Sequence, residues 1–76
     1  MKDDITIQKE FGAFLREHRK RKDLFQADVA ERAGITQVYY SAIECGTRQP
    51  KFALVLKLCD ILDADLKEFV AQYIEE

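Results

Sequence analysis

Between Gln26 and Glu44 the sequence QADVAERAGITQVYYSAIE carries a helical pattern that breaks once and resumes almost at once. Val29, Ala30 and Ala33 share one face of a helix predicted over 26–33. Gly34 stops it, because glycine takes the left-handed conformation that ends a helix without a steric penalty. Thr36 then offers its side-chain oxygen to the first free backbone N–H groups of another helix, predicted over 37–45. A break this short sets the two helices at a steep angle, about 90 to 120°. The rest of the chain has to be arranged around that pair.

Before it, Ile7, Phe11, Phe14, Leu15 and His18 recur at the spacing of one helical face and predict a helix over 7–22 whose last turn is densely basic. After it, Gly46 closes the 37–45 helix. The loop Gly46-Thr47-Arg48-Gln49-Pro50 then leads into a helix over 51–62, where only Lys57 and Asp60 are polar between Phe52 and Leu62. A helix apolar nearly all round is expected to be covered on more than one side. Asp65 with Glu68 has the spacing of an acidic capping box and opens a last helix over 65–75, with Leu66, Phe69, Val70, Tyr73 and Ile74 in one stripe. Strand signals, internal repeats and low-complexity tracts are absent from the sequence. The reading is an all-α, compact five-helix domain spanning residues 1–76, with its core over about 7–70. A chain of 76 residues buries only about 60% of its unfolded surface, so the core has to be efficient or completed by a partner.

Several function classes drop out on composition and spacing. No apolar run approaches the roughly 18 residues of a membrane span, and no signal-type stretch follows Met1-Lys2-Asp3-Asp4, which together predict a cytoplasmic location. Cys45 and Cys59 lack CxxC or zinc-finger companions, so free thiols and no metal are expected. His18 is the only histidine, and no nucleophile, base and orienting acid can be assembled around it. The expectation is a non-enzyme without cofactor or small-molecule substrate, with His18 in a hydrogen-bonded structural role. The formal charge of −2 conceals an uneven distribution: residues 16–51 carry a net +3 and residues 60–76 a net −5. Such a molecule would lie on a polyanion with its basic side inward.

The stretch Leu24-Phe25-Gln26-Ala27-Asp28-Val29-Ala30, followed by Ala33-Gly34-Ile35-Thr36, Ile43-Glu44, Gly46, Arg48 and Pro50, resembles the lambda-repressor and Cro type of helix-turn-helix domain. The likeness extends over about Phe11 to Val70. It implies that the 37–45 helix enters a DNA major groove while the helix before it lies across the backbone. Gln37, Val38, Ser41 and Ala42 match the groove-facing positions of that family. Gln37 has the chemistry to bond an adenine at two points, Ser41 to reach several base edges, and Val38 and Ala42 to touch thymine methyl groups. Gln26 is similar to the family's phosphate-holding glutamine, and Arg16, Lys20, Tyr39, Arg48 and Lys51 are further candidates for phosphate contacts. Arg19 and Glu44 resemble the family's buried ion pair, and Tyr40 is expected to face the core.

Three positions depart from the family pattern. Phe25 stands where Ser or Thr would cap a helix, leaving Asp28 to compensate through the helix dipole. Asp23 replaces a common glycine, and His18 an apolar residue. The function implied is a dimeric transcriptional regulator, a small repressor or controller protein on a pseudo-palindromic operator of double-stranded DNA, with Leu66, Phe69, Tyr73 and Ile74, aided by the 51–62 helix, as the homodimer surface. The alternative is a protein-interaction module that keeps the fold without specific DNA binding.

Overall fold

The computed structural model describes residues 2–74, and of Ile74 the backbone only. Five α-helices follow one another: α1 (Asp4–Arg21), α2 (Gln26–Ala33), α3 (Gln37–Glu44), α4 (Phe52–Ile61) and α5 (Leu66–Phe69), the last running directly into a π-helical turn, Val70–Ile74. No strand occurs among the described residues.

Helix α1 starts three residues before the predicted 7. Asp3 sits in an extended conformation and its carboxylate accepts the Thr6 N–H at 2.8 Å, which caps a turn whose apolar residue, Ile5, stays exposed. At the other end the chain leaves α1 through Asp23 at φ 54°, in the left-handed region that Asp tolerates better than most residues. Gly34, at φ 72°, ends α2, and Gly46, at φ 77°, follows α3.

The core is built from Phe14, Leu15, Val29, Tyr40, Ile43, Leu58 and Leu62, all essentially without solvent contact. His18 is buried beside Phe14, and its Nδ1 donates to the Phe14 carbonyl at 3.0 Å, since a carbonyl can only accept. Helix α1 crosses α3 at backbone contact through Gly12: a methyl group there would collide with the carbonyl oxygens of Ile43 and Glu44. Gly46 is pinned below Lys9, and Gln8 Nε2 donates to the Gly46 carbonyl at 2.7 Å. The first helix thus holds the C-terminal end of α3 and the glycine that follows it.

Two expectations about the C-terminal part require correction. Phe69, assigned from its stripe to a dimer surface, is buried in the monomer. Its ring centroid lies 5.3 Å from that of Phe11, 5.2 Å from that of Phe14 and 5.2 Å from that of Tyr73. An edge-and-stack cluster of this kind makes α5 the lid of the core rather than a free face. Helix α4, apolar nearly all round, leaves Phe52 71% and Leu56 47% exposed. The helix expected to run to 75 changes to π winding after Phe69, and residue 75 lies outside the described residues, as does the Ile74 side chain.

Candidate nucleic-acid interface

Helix α3 has two faces of opposite character. Tyr40, Ile43 and Glu44 point inward, whereas Gln37 and Val38 face solvent, Val38 at 81% exposure, and Ser41 and Ala42 are half-buried between them. The helix is started by Thr36, whose hydroxyl accepts the Tyr39 N–H at 3.1 Å. Gln37, Val38 and Ser41 share a shallow notch with Gln26 from the start of α2. Four of the residues singled out in the sequence are therefore brought together on one surface.

Helix α2 begins without a side-chain cap, since the phenyl ring of Phe25 accepts no hydrogen bond and lies 78% exposed. Asp28 compensates more directly than through the dipole: its carboxylate reaches back to accept the Phe25 N–H at 2.8 Å. That is one half of a capping box, and it fixes the backbone just before Gln26.

Behind the notch lies a polar cluster centred on Glu44. Arg19 approaches it with two donors, Nε at 2.7 Å and Nη2 at 3.1 Å, and Gln26 Nε2 donates to the same carboxylate at 3.1 Å. The remaining Arg19 nitrogen, Nη1, donates to the Leu24 carbonyl at 2.9 Å, tying the α1–α2 connection to the pair. Burial alone pushes the Glu44 carboxyl upward, but hydrogen bonds from Arg19 and Gln26, with the Tyr40 hydroxyl nearby, outweigh it and hold the group below the usual carboxylate range. Arg19 is raised by its hydrogen bond to Glu44. Tyr40 is pushed up by burial; its hydroxyl lies beside Glu44 without a well-aligned partner among the described residues. Gln26 thus keeps one amide N–H and its oxygen for a ligand, with the amide's orientation set by the carboxylate.

The basic end of α1 is not a uniform patch. Arg19 turns inward, Arg21 pairs with Glu17 at 2.6 Å and Lys22 pairs with Asp63. Arg16 and Lys20 are left solvent-exposed, without an acidic partner among the described residues and outside the residues that line the notch. Beyond α3, the Arg48 guanidinium lies over the Tyr39 ring, 5.5 Å from its centroid. Lys51 is the N-cap residue of α4 and lines a second shallow cleft that also contains Tyr39. Of the dimer candidates, Leu66 lines an apolar groove of about 280 Å³ together with Ile7, Phe11, Pro50 and Val55, and Tyr73 packs on the core.

Gln8 escaped the sequence reading. Its bond to Gly46 joins positions 38 residues apart, and no local spacing announces such a contact. Asp28 as a capping acceptor was legible in principle, because it stands three residues after an N-cap. Nothing in the site suggests a metal: no cluster of three or more His, Cys, Asp or Glu side chains suited to one occurs among the described residues. No described helix is long and apolar enough to cross a membrane.

Two crossed short helices, a glycine turn between them and an outward-facing second helix define a helix-turn-helix unit. A model of the helix-turn-helix domain matches residues 10–71, and the chain belongs to that family. Over 56 residues, 74% of its length, the chain is 38% identical to an uncharacterized HTH-type transcriptional regulator, YqaE, of Bacillus subtilis strain 168; it spans 48% of that relative, about half its length. Among solved structures it is similar to the restriction-modification controller protein C.AhdI from Aeromonas hydrophila, with a TM-score of 0.75 and 34% identity, covering 82% of this chain and 94% of the other. The clp gene regulator ClgR from Corynebacterium glutamicum superposes with a TM-score of 0.82 over 91% of this chain and 73% of its own, at 23% identity, a likeness of fold.

Proposed function

We propose that the chain is a sequence-specific reader of double-stranded DNA in a transcriptional regulator, with α3 inserted in the major groove. The observation that carries this reading is the division of α3. Its inner face is anchored by Tyr40, Ile43 and the Arg19–Glu44 pair, and its outer face offers Gln37, Val38 and Ser41 beside Gln26. A rigidly seated helix with a short polar and methyl-bearing outer face suits base-edge recognition, and each good two-point contact contributes about 1–3 kcal/mol of discrimination. Gln37 is the first residue assigned to specificity, with Ser41, Val38 and Ala42 beside it. Gln26, Arg48, Lys51, Arg16 and Lys20 supply phosphate contacts that fix register and make binding depend on salt.

The working form in this reading is a homodimer on a pseudo-palindromic operator, its two α3 helices about 34–36 Å apart. With Phe69 in the monomer core, the apolar surface available for pairing is the exposed side of α4, Phe52 and Leu56, together with Leu66. A small repressor or controller acting in the cytoplasm by promoter occupancy, without catalysis, is the simplest regulator of this build.

Selection of duplex DNA from a random pool by the purified chain tests the reading. Enrichment of a two-fold symmetric, spaced motif is expected. Failure to enrich any sequence at low salt would overturn it and leave a protein-interaction module built on the same fold.

A further inference from the structure

Arg48 is an exposed residue in a loop, yet it is held. The Gly46 carbonyl takes a hydrogen bond from Gln8 at 2.7 Å, and both the N–H and the hydroxyl of Thr47 donate to the Ala42 carbonyl, at 3.0 and 3.2 Å. Pro50 is buried and has its φ fixed by its ring. The backbone that carries Arg48 is therefore tied to the last turn of α3 on one side and anchored in the domain on the other.

Its side chain is held as well, and by an unusual kind of partner for a group meant to meet phosphate. The guanidinium forms no ion pair among the described residues; it lies over the ring of Tyr39, 5.5 Å from the centroid. A carboxylate in that place would neutralise the charge and occupy N–H donors. A ring face does neither, since attraction to the quadrupole leaves the planar fork of five donors turned to solvent. Tyr39 belongs to α3, next to Val38, and its own N–H is fixed by Thr36.

We propose that Tyr39 is a positioning residue: through the face of its ring, and not through a hydrogen bond from its hydroxyl, it pre-orients Arg48 toward a DNA phosphate. A loop cation is thereby locked to the helix that reads the bases. This assignment rests on the DNA-binding reading above and replaces the direct phosphate contact expected of Tyr39. Lys51, on the same cleft as Tyr39, adds charge beside the oriented guanidinium.

The ring and the hydroxyl can be separated. Binding of a fluorescent 20-base-pair duplex, a size chosen to span roughly two helical turns, is measured for the intact chain, Tyr39→Phe, Tyr39→Leu, Arg48→Ala and the double variant Tyr39→Leu/Arg48→Ala. Thermal melts establish that each is folded, and Tyr39→Met replaces Tyr39→Leu if that variant is not. Tyr39→Phe is expected to bind like the intact chain and Tyr39→Leu about two- to five-fold more weakly. Arg48→Ala should lose less in the Tyr39→Leu background than in the intact chain. In the DNA-free protein, NMR should show the Arg48 δ protons shifted upfield by the ring current, a shift retained in Tyr39→Phe and lost in Tyr39→Leu.

Equal weakening by Tyr39→Phe and Tyr39→Leu would assign the effect to the hydroxyl and overturn the proposal, as would strict additivity of the Tyr39→Leu and Arg48→Ala losses. A ring-current shift without any duplex binding by the intact chain would instead locate the failure in the DNA-binding reading. Absence of the shift would overturn the positioning role itself.

Discussion

Two ion pairs start three residues apart, one within the last turn of α1 and one at the residue that follows it. Arg19 reaches Glu44 on α3, and Lys22 reaches Asp63 in the turn between α4 and α5. Their surroundings separate them. The side chains of the first pair retain 11% and 3% of their exposure, those of the second 34% and 77%. Glu44 is driven up by desolvation and brought below the usual range only by several hydrogen bonds, whereas Asp63 is lowered by its hydrogen bond to Lys22 with little opposition from burial. The inner pair is hard to replace: with Arg19 only 11% exposed, water is a poor substitute for the carboxylate. The outer pair exchanges protein for solvent at almost no cost.

The strongest way to break the contrast is to remove the inner carboxylate. Glu44→Ala strands the Arg19 guanidinium and leaves Gln26 without its acceptor, and an expected loss of about 3–5 kcal/mol should appear in urea denaturation. For a domain whose total stability is of the order of 5–15 kcal/mol, a loss of that size is a large share of the whole. A smaller loss, within about 1 kcal/mol, would mean that the two pairs are equivalent after all.

A pH series sharpens it further. Glu44 has a folded pKa below its unfolded one, so its contribution is fully present above the unfolded value of about 4.3. It is lost as the pH falls through the lower folded value. Melting temperatures of the intact chain should therefore fall on acidification below that point, with a shallower fall in Glu44→Gln. Asp63→Asn shares the sign of the effect, but its fully exposed carboxylate should leave the acid limb close to that of the intact chain.

Exposure does not make every polar substitution silent, and the start of α2 shows the difference. Phe25→Ser would supply the missing cap to an orphan N–H while keeping the Asp28 half of the box, and a gain of about 1 kcal/mol is expected in thermal unfolding. The smallest effect belongs to Lys22→Ala, for which the melting temperature should be unchanged within experimental precision. If Lys22→Ala were to destabilise by as much as Phe25→Ser stabilises, the view of the outer pair as solvent-exchangeable would be wrong.

The same contrast explains what could be read from the sequence. Helices α2 and α3 were legible to within a residue, because their ends are written in local chemistry: Gly34, Thr36 and the apolar face of Val29, Ala30 and Ala33. The N-terminal turn of α1 is not legible from the buried face, as its apolar residue, Ile5, is exposed and the signal left is the cap at Asp3. Arg19 and Glu44 lie 25 positions apart, so their pairing came from family resemblance and from nothing in their spacing. Phe69 marks a deeper limit. A stripe of Leu66, Phe69 and Tyr73 looks identical whether it meets its own core or another molecule, and only the path of the chain back to Phe11 and Phe14 decides. The splitting of the basic run at the end of α1 into inward, paired and open cations was hidden for the same reason.

Gly12 has a consequence for how such a domain can be tuned. With only a hydrogen between α1 and the Ile43 and Glu44 carbonyls, the elevation of α3 above the body of the molecule is set by a residue that touches no ligand. Adding one carbon there, 2.3 Å from the Glu44 carbonyl oxygen, would require the backbone of α3 to move away from α1, and Gln37, Val38 and Ser41 with it. Position 12 is thus a height adjustment for the outer surface of the molecule, worked from the opposite side of the helix it moves.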